Sequence, residues 1–138
     1  MKEDPDIKPP ETAFFVLLVE DYEPNIVVTT SFLEELGHRF EVAQTGLEAL
    51  QKFSAAPHDL IFMDLQLPDI DGLEVARKIR ALEKAQNIPR TPIVALSARA
   101  NEDDRLLCMK AGMNACLSKP FQRDQLEEVM RQFVAASV

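Results

Sequence analysis

Five short apolar segments, separated by helix-length amphipathic stretches, dominate this sequence. Apart from Glu41 in the second segment, they are continuously apolar rather than alternating, which is typical of parallel strands covered on both faces. Because parallel neighbours need crossover connections, the pattern predicts the order βαβαβαβαβα with right-handed crossovers. We therefore expect an α/β fold, a doubly wound sheet of five parallel strands with five helices. The segments are Phe14–Val19, Phe40–Ala43, Leu60–Met63, Ile93–Leu96 and Ala115–Leu117.

The stretches between these segments have the spacing and the ends of helices. Asp71 precedes the third stretch, with Glu74 three residues later, which resembles a capping box. Gly37 and Gly112 stand where two other helices should end, as glycines that follow a helix commonly do. The clearest apolar stripe follows helical spacing in the last stretch and comprises Leu126, Val129, Met130, Phe133 and Val134.

Size and charge narrow the possible functions. The chain has 138 residues, 46% of them apolar, which suits one domain, and we expect that domain to span residues 13–136. Residues 1–12 contain three prolines and no apolar periodicity, so we expect a disordered tail or a linker there. A formal charge of −8 argues against nucleic acid or an anionic membrane as the direct partner.

The sequence lacks the usual marks of membrane, secreted and nucleotide-cradling proteins. No apolar run approaches the roughly 18–20 residues that cross a bilayer, and no signal peptide opens the chain. The two cysteines, Cys108 and Cys116, form neither a disulfide framework nor a zinc spacing, so we expect a reducing, cytoplasmic location. The four glycines match neither GxGxxG nor the P-loop, so side chains and a metal would have to hold any phosphate.

Reactive side chains follow the expected strands at their carboxyl ends. Glu20 and Asp21 end strand one, Asp64 strand three, Ser97 strand four, and Lys119 follows strand five. In open parallel sheets ligands bind beyond these ends, so we expect the five side chains to converge. Crowded carboxylates repel unless a cation is bound, and hard oxygen ligands suit Mg²⁺, or Mn²⁺ in its place. The lysine could neutralise charge on phosphoryl oxygens, and the serine hydroxyl could donate a hydrogen bond to them. Together with the carboxylates, these side chains predict phosphoryl transfer.

These residues resemble a known family, the response regulator receiver domain of two-component signal transduction. The resemblance covers about residues 14–134, and it implies the flavodoxin-like strand order 2-1-3-4-5. The segments 20–25 and 91–97 look most like receivers of hybrid histidine kinases and phosphorelays. The matching strings, in order, are Leu18-Val19-Glu20-Asp21, Met63-Asp64-Leu65-Gln66-Leu67-Pro68-Asp69-Ile70-Asp71-Gly72, Ala95-Leu96-Ser97-Ala98, Gly112-Met113 and Leu117-Ser118-Lys119-Pro120-Phe121.

The resemblance implies a role for each matching residue at the acidic end. Asp64 would be the phosphoacceptor and, with the backbone carbonyl of Gln66, would complete a metal site. Asp21 would ligate Mg²⁺ directly and Glu20 through water. Lys119 would pair with Asp64 and then with the phosphoryl oxygens.

Further implied roles concern the surroundings of the phosphoryl group. Ser97 would bind it, and the small Ala98 would leave the phosphorus approachable. Gln66 and Arg99 would tune hydrolysis of the acyl phosphate. The bond between Lys119 and Pro120 would be cis, which aims the lysine inward.

One position departs from the family pattern. Cys116 stands where receivers usually carry a Tyr or Phe that swings inward on activation. We therefore expect this switch position to affect the readout and not the phosphorylation chemistry. By resemblance the partners are a histidine kinase or histidine phosphotransfer domain and a downstream target on the fourth and fifth helices. The resemblance also implies that the module is not an enzyme in its own right, although it would carry self-phosphorylation and self-dephosphorylation chemistry.

Two other functions are alternatives to phosphoryl acceptance. A receiver-like domain that is never phosphorylated and acts only in docking is the alternative, although the complete set of acids, Ser97 and Lys119 disfavours it. A phosphatase with an aspartyl nucleophile is disfavoured because Gln66 stands two residues after Asp64, where an acid/base aspartate is needed.

Overall fold

The computed structural model describes residues 13–99 and 101–134, which form five strands and five helices in strict alternation. The strands form one parallel sheet in the order β2-β1-β3-β4-β5, which confirms the expected fold class and strand order. The expected tail, residues 1–12, lies outside the described residues. The elements are β1 Phe15–Val19, α1 Glu23–Glu35, β2 Arg39–Ala43, α2 Gly46–Ala55, β3 Leu60–Asp64, α3 Gly72–Gln86, β4 Ile93–Ser97, α4 Glu102–Lys110, β5 Ala115–Ser118 and α5 Arg123–Val134.

The strand register aligns the carboxyl ends of the four strands that carry reactive groups. Val19 pairs with Met63 across β1 and β3, so Glu20 and Asp64 follow at the same level. Asp64 pairs with Leu96, the residue before Ser97, and Ser97 pairs with Ser118, the residue before Lys119. The register therefore brings residues from distant parts of the chain to one edge of the sheet.

The core has two halves, one on each face of the sheet. Side chains that alternate along each strand point to opposite faces, so every central strand contributes to both halves. Helices α2, α3 and α4 cover one half, where Phe53, Ile79 and Cys108 are buried. Helices α1 and α5 cover the other, where Leu33 and Leu126 are buried. Burial on both faces is the reason why the strands are continuously apolar.

The helix ends agree with the sequence signals. Asp71 is the N-cap of α3, and its carboxylate accepts a hydrogen bond from the Glu74 amide at 2.9 Å. Gly37 and Gly112 have positive φ angles of 85° and 96° just after α1 and α4, a conformation that glycine adopts without strain. In the part of the chain that the structure describes, no helix has the length and apolar character needed to cross a membrane.

Candidate functional site

Three carboxylates meet at the carboxyl edge of the sheet. Glu20 and Asp21 follow β1 and Asp64 ends β3, and each contributes an oxygen that lies within 4.8 Å of the other two. Glu20 and Asp64 are nearly buried, with 1% and 6% of their surfaces exposed, whereas Asp21 is open to solvent. Such a set of hard oxygen ligands with one open side fits a hydrated divalent cation.

Glu20 is held in place by the backbone around it. Its amide donates to the Ala43 carbonyl at 2.9 Å, and its carboxylate accepts from the Tyr22 amide at 3.2 Å. Burial raises the pKa of Glu20, and the neighbouring Asp64 raises it further, while Lys119 opposes both effects. A raised pKa is the expected signature of a carboxylate whose negative charge lacks full compensation.

Lys119 is the cation nearest to these acids. Its ammonium lies 3.1 Å from Glu20 Oε1 and 3.4 Å from Asp64 Oδ2. Its amide donates to the Ser97 carbonyl at 2.8 Å, and its bond to Pro120 is cis. The side chain is largely buried, so the charge of the ammonium acts on Asp64 with little screening by solvent.

Asp64 is fixed by the turn that follows β3. Its Oδ1 accepts a hydrogen bond from the Gln66 amide at 3.1 Å, which leaves Oδ2 beside the lysine. Gly72, the first residue of α3, packs so closely that a Cβ there would collide with the Asp64 carbonyl oxygen. Sequence reasoning missed this supporting role of Gly72, because the close approach arises only when α3 folds back onto the end of β3.

Two cavities open onto Asp64 from different sides. One, of about 370 Å³, is lined by Glu20 and Asp21. The other, of about 150 Å³, is lined by Ser97, Ala98, Arg99 and Asp104. Asp64, Gln66 and Lys119 line both cavities. The carboxylate can therefore face a cation on one side and an incoming group on the other.

Ser97 and Arg99 make local contacts at the smaller cavity. The Ser97 hydroxyl donates to the Arg99 carbonyl at 2.7 Å and accepts from the Arg99 amide at 3.1 Å. The Arg99 guanidinium is 78% exposed and lies 3.9 Å from Asp104, a charged lining residue that no sequence motif indicated. To contact an incoming group, the hydroxyl must exchange one of these backbone bonds.

Cys116 lies apart from the acids. It is half-buried in β5, opposite Ala95, and packs against the half of the core that contains Cys108. Burial raises the pKa of Cys116 and raises that of Cys108 to about 11, so both remain protonated thiols at neutral pH. This position can affect how α4 packs without touching the carboxylates.

The residues of this site match a known family. The family model of the response regulator receiver domain matches residues 16–131 of this chain. The chain is 40% identical over 124 residues to the aerobic respiration control sensor protein ArcB of Escherichia coli, which covers 90% of this chain. The chain spans only 16% of the length of ArcB.

Solved receiver domain structures are similar to this chain, and two of them illustrate the likeness. The receiver domain of the Pseudomonas aeruginosa sensor histidine kinase PA1611, solved with magnesium in its active site cleft, has a TM-score of 0.80 and 37% identity, covering 90% of this chain and 99% of that one. The Saccharomyces cerevisiae complex of the histidine phosphotransfer protein Ypd1 with the Ssk1 receiver domain has a TM-score of 0.85 and 32% identity, covering 91% of both chains.

Proposed function

The chain belongs to the response regulator receiver domain family of two-component signal transduction, and on that premise we propose that Asp64 accepts a phosphoryl group from a partner's phosphohistidine. The observation that carries the proposal is the Lys119 ammonium 3.4 Å from Asp64, beside two further carboxylates. A lone exposed aspartate would have neither a metal site nor a fixed cation, and phosphoryl transfer needs both to stabilise developing charge.

The oxygen ligands at this edge of the sheet suit a divalent cation. Glu20, Asp21 and Asp64, with the backbone carbonyl of Gln66, would hold Mg²⁺, or Mn²⁺ in its place. When bound, the ion neutralises negative charge on the carboxylates and on the phosphoryl oxygens. The magnesium in the PA1611 receiver supports this assignment.

The protein's own residues would carry out the remaining steps. The Asp64 carboxylate attacks phosphorus, the bond between phosphorus and the histidine nitrogen breaks, and the imidazole leaves. Lys119 turns from Asp64 to a phosphoryl oxygen, and the Ser97 hydroxyl gives up a backbone bond to donate to another. Water later cleaves the acyl phosphate at a rate that Gln66 and Arg99, at the rim of the smaller cavity, would influence.

The partners follow from the same proposal. The Ypd1–Ssk1 complex supports a histidine phosphotransfer domain as the phosphoryl donor, with a histidine kinase as the other candidate, and a cytoplasmic location would give access to both. On α4, Leu106, Leu107 and Met109 are exposed apolar side chains, which supports a downstream target that binds the α4 and α5 face. Cys116, packed under α4, would alter this readout rather than the chemistry.

Acceptance of a phosphoryl group from acetyl phosphate tests the proposal. With Mg²⁺, intact-protein mass spectrometry should show one added phosphoryl group on the wild type and none on Asp64→Asn. Asp59→Asn is the matched control, because Asp59 lies at the opposite end of β3, roughly 16 Å away. An unlabelled wild type would favour the docking-only alternative, and a labelled Asp64→Asn variant would assign the acceptor elsewhere.

A further inference from the structure

A second charged feature lies at the opposite end of the sheet from Asp64. A cavity of about 550 Å³ opens between the last turns of α3, the loop before β4 and the turn between α4 and β5. From the start of α3 beside Asp64 to Lys84, the helix rises about 18 Å. The cavity is lined by five of the chain's 15 cationic residues, namely Arg77, Arg80, Lys84, Arg90 and Lys110.

Arg80 lines this cavity and is held by three hydrogen bonds. Its guanidinium donates to the Gly112 carbonyl at 2.8 Å, to Glu83 at 2.8 Å and to the Asn114 side chain at 3.0 Å. Gly112 makes this packing possible, since a Cβ there would lie 2.8 Å from the Arg80 side chain. Arg90 donates to the same Gly112 carbonyl at 3.2 Å, so one backbone oxygen holds two guanidinium groups together.

The positive charge of the cavity is only partly compensated. Glu83, its only carboxylate among the described residues, is buried and already bonded to Arg80 and to the Thr91 amide. Burial lowers the pKa of Arg80, the hydrogen bond and the charge of Glu83 oppose this effect, and the neighbouring charge of Arg90 adds to it. Within the described residues neither Lys84 nor Lys110 has an ion-pair partner.

Stabilisation of helix ends explains only part of this cluster. Lys84 and Lys110 stand in the last turns of α3 and α4, where cations interact favourably with the helix dipole. The two helix ends contribute only about one unit of negative charge between them. Arg77 pairs with Glu74 at 3.1 Å and Arg80 with Glu83 at 2.8 Å. Arg90 and the two lysines have no carboxylate partner among the described residues, so about two positive charges remain in excess, in a chain whose net charge is −8.

We propose that this cavity binds a small molecule that carries two or more adjacent phosphate groups. Its volume lies within the roughly 300–1,000 Å³ typical of small-molecule sites, and its concave shape suits a compact ligand. Guanidinium groups match phosphate oxygens in pairs, and lysines add point charges. Arginine and lysine side chains would contact the phosphates, which agrees with a sequence that has no glycine-rich phosphate loop.

Calorimetric titration with inorganic pyrophosphate, and separately with ADP, tests this proposal. EDTA is present throughout, so that no metal at the acidic site can recruit the anion. The test variant is the double substitution Lys84→Ala and Lys110→Ala, and the control is Lys52→Ala and Lys78→Ala. Lys52 and Lys78 are lysines outside the cavity, and the control changes the net charge equally.

The affinity for the phosphate ligand should fall roughly tenfold or more in the test variant and stay within about twofold in the control. Each substitution in the test variant would remove one charge-assisted hydrogen bond to phosphate. Equal affinity for the two ligands would assign the site to a phosphate chain, and tighter binding of ADP would assign it to a nucleotide. As a second measurement, amide chemical shifts on adding pyrophosphate should move at Arg90 and Gly112 rather than at Asp64.

Several results would overturn the proposal. These are the absence of saturable binding by the wild type, an equal loss of affinity in both variants, and amide shifts confined to the surroundings of Asp64. Binding of an acidic peptide such as oligoglutamate, with no binding of either phosphate ligand, would instead assign the surface to an acidic protein partner.

Discussion

Replacing Asp64 by Asn should stabilise the metal-free protein. The substitution removes one negative charge and nearly preserves the shape of the side chain. Oxygens of Glu20 and Asp21 lie within 4.8 Å of an Asp64 oxygen, and the Lys119 ammonium lies 3.4 Å away. At an effective dielectric constant of about 20, each repulsion is about 3.5 kcal/mol and the attraction about 5 kcal/mol.

The two repulsions therefore exceed the attraction by about 2 kcal/mol, and by about 1 kcal/mol if solvent doubles the effective dielectric constant for all three interactions. For a domain of this size the Asp64→Asn variant should melt roughly 3–8 °C above the wild type in EDTA. Wild type should gain about 2.7 kcal/mol when Mg²⁺ is present at 100 times its dissociation constant. The variant should gain much less, because it has lost one of the three carboxylate ligands.

Thermal melts of both proteins at pH 8 and constant ionic strength, with EDTA and with Mg²⁺, measure these effects. Asp59→Asn is the control for the response to Mg²⁺, which should equal that of the wild type. Only this response is compared, because the Asp59 carboxylate itself accepts a hydrogen bond from the Phe15 amide at 2.8 Å. A variant that melts at or below the wild type in EDTA, together with equal responses to Mg²⁺, would refute the inference that Asp64 belongs to a repulsive metal site.

Three further substitutions test separate parts of the account. Lys119→Ala should keep Mg²⁺ binding, measured by calorimetry, but lose most phosphoryl acceptance in intact-mass assays; loss of both would indicate a purely structural lysine. Asp69→Asn should lower the melting temperature by a few degrees at pH 7, because the Gly46 and Leu47 amides donate to the Asp69 carboxylate and lower its pKa. Because the pKa of Asp69 is lower in the folded protein than the unfolded value near 3.9, the ionised carboxylate stabilises the fold above that pH. This stabilisation is lost as the pH falls through the folded pKa, so the difference in melting temperature between the two proteins should close below about pH 4. A difference that stays constant with pH would contradict this origin. Cys116→Tyr should leave acceptance from acetyl phosphate near wild type and change binding of a partner to the phosphorylated form; a variant that no longer accepts phosphate would place this position in the active site.

The sequence predicted the architecture because its signals are local. Continuous apolar segments identify covered parallel strands, and Asp71 and Gly112 mark helix ends within a few residues. The acidic site could be located because the carboxyl ends of parallel strands share one edge, so Glu20 and Asp64 could be placed together from strand ends alone.

The remaining features depend on contacts between distant segments, which local patterns do not specify. Asp69 accepts hydrogen bonds from the amides of Gly46 and Leu47 at the start of α2, which lie 23 and 22 positions earlier in the chain. Gly72 supports Asp64 only once α3 packs on β3. The basic cavity combines residues from a helix, a loop and a turn, and Arg90 shows no pattern in sequence that would connect it with Arg80.

The most direct test of the central claim is to locate the phosphoryl group on the chain. After reaction with acetyl phosphate and Mg²⁺, borohydride reduces an aspartyl phosphate to homoserine, and peptide mass spectrometry identifies the altered residue. We expect the change at residue 64 and at no other carboxylate. A change at Glu20 or Asp21, or a phosphate that survives reduction as an ester on Ser97, would contradict the assignment of Asp64 as the acceptor.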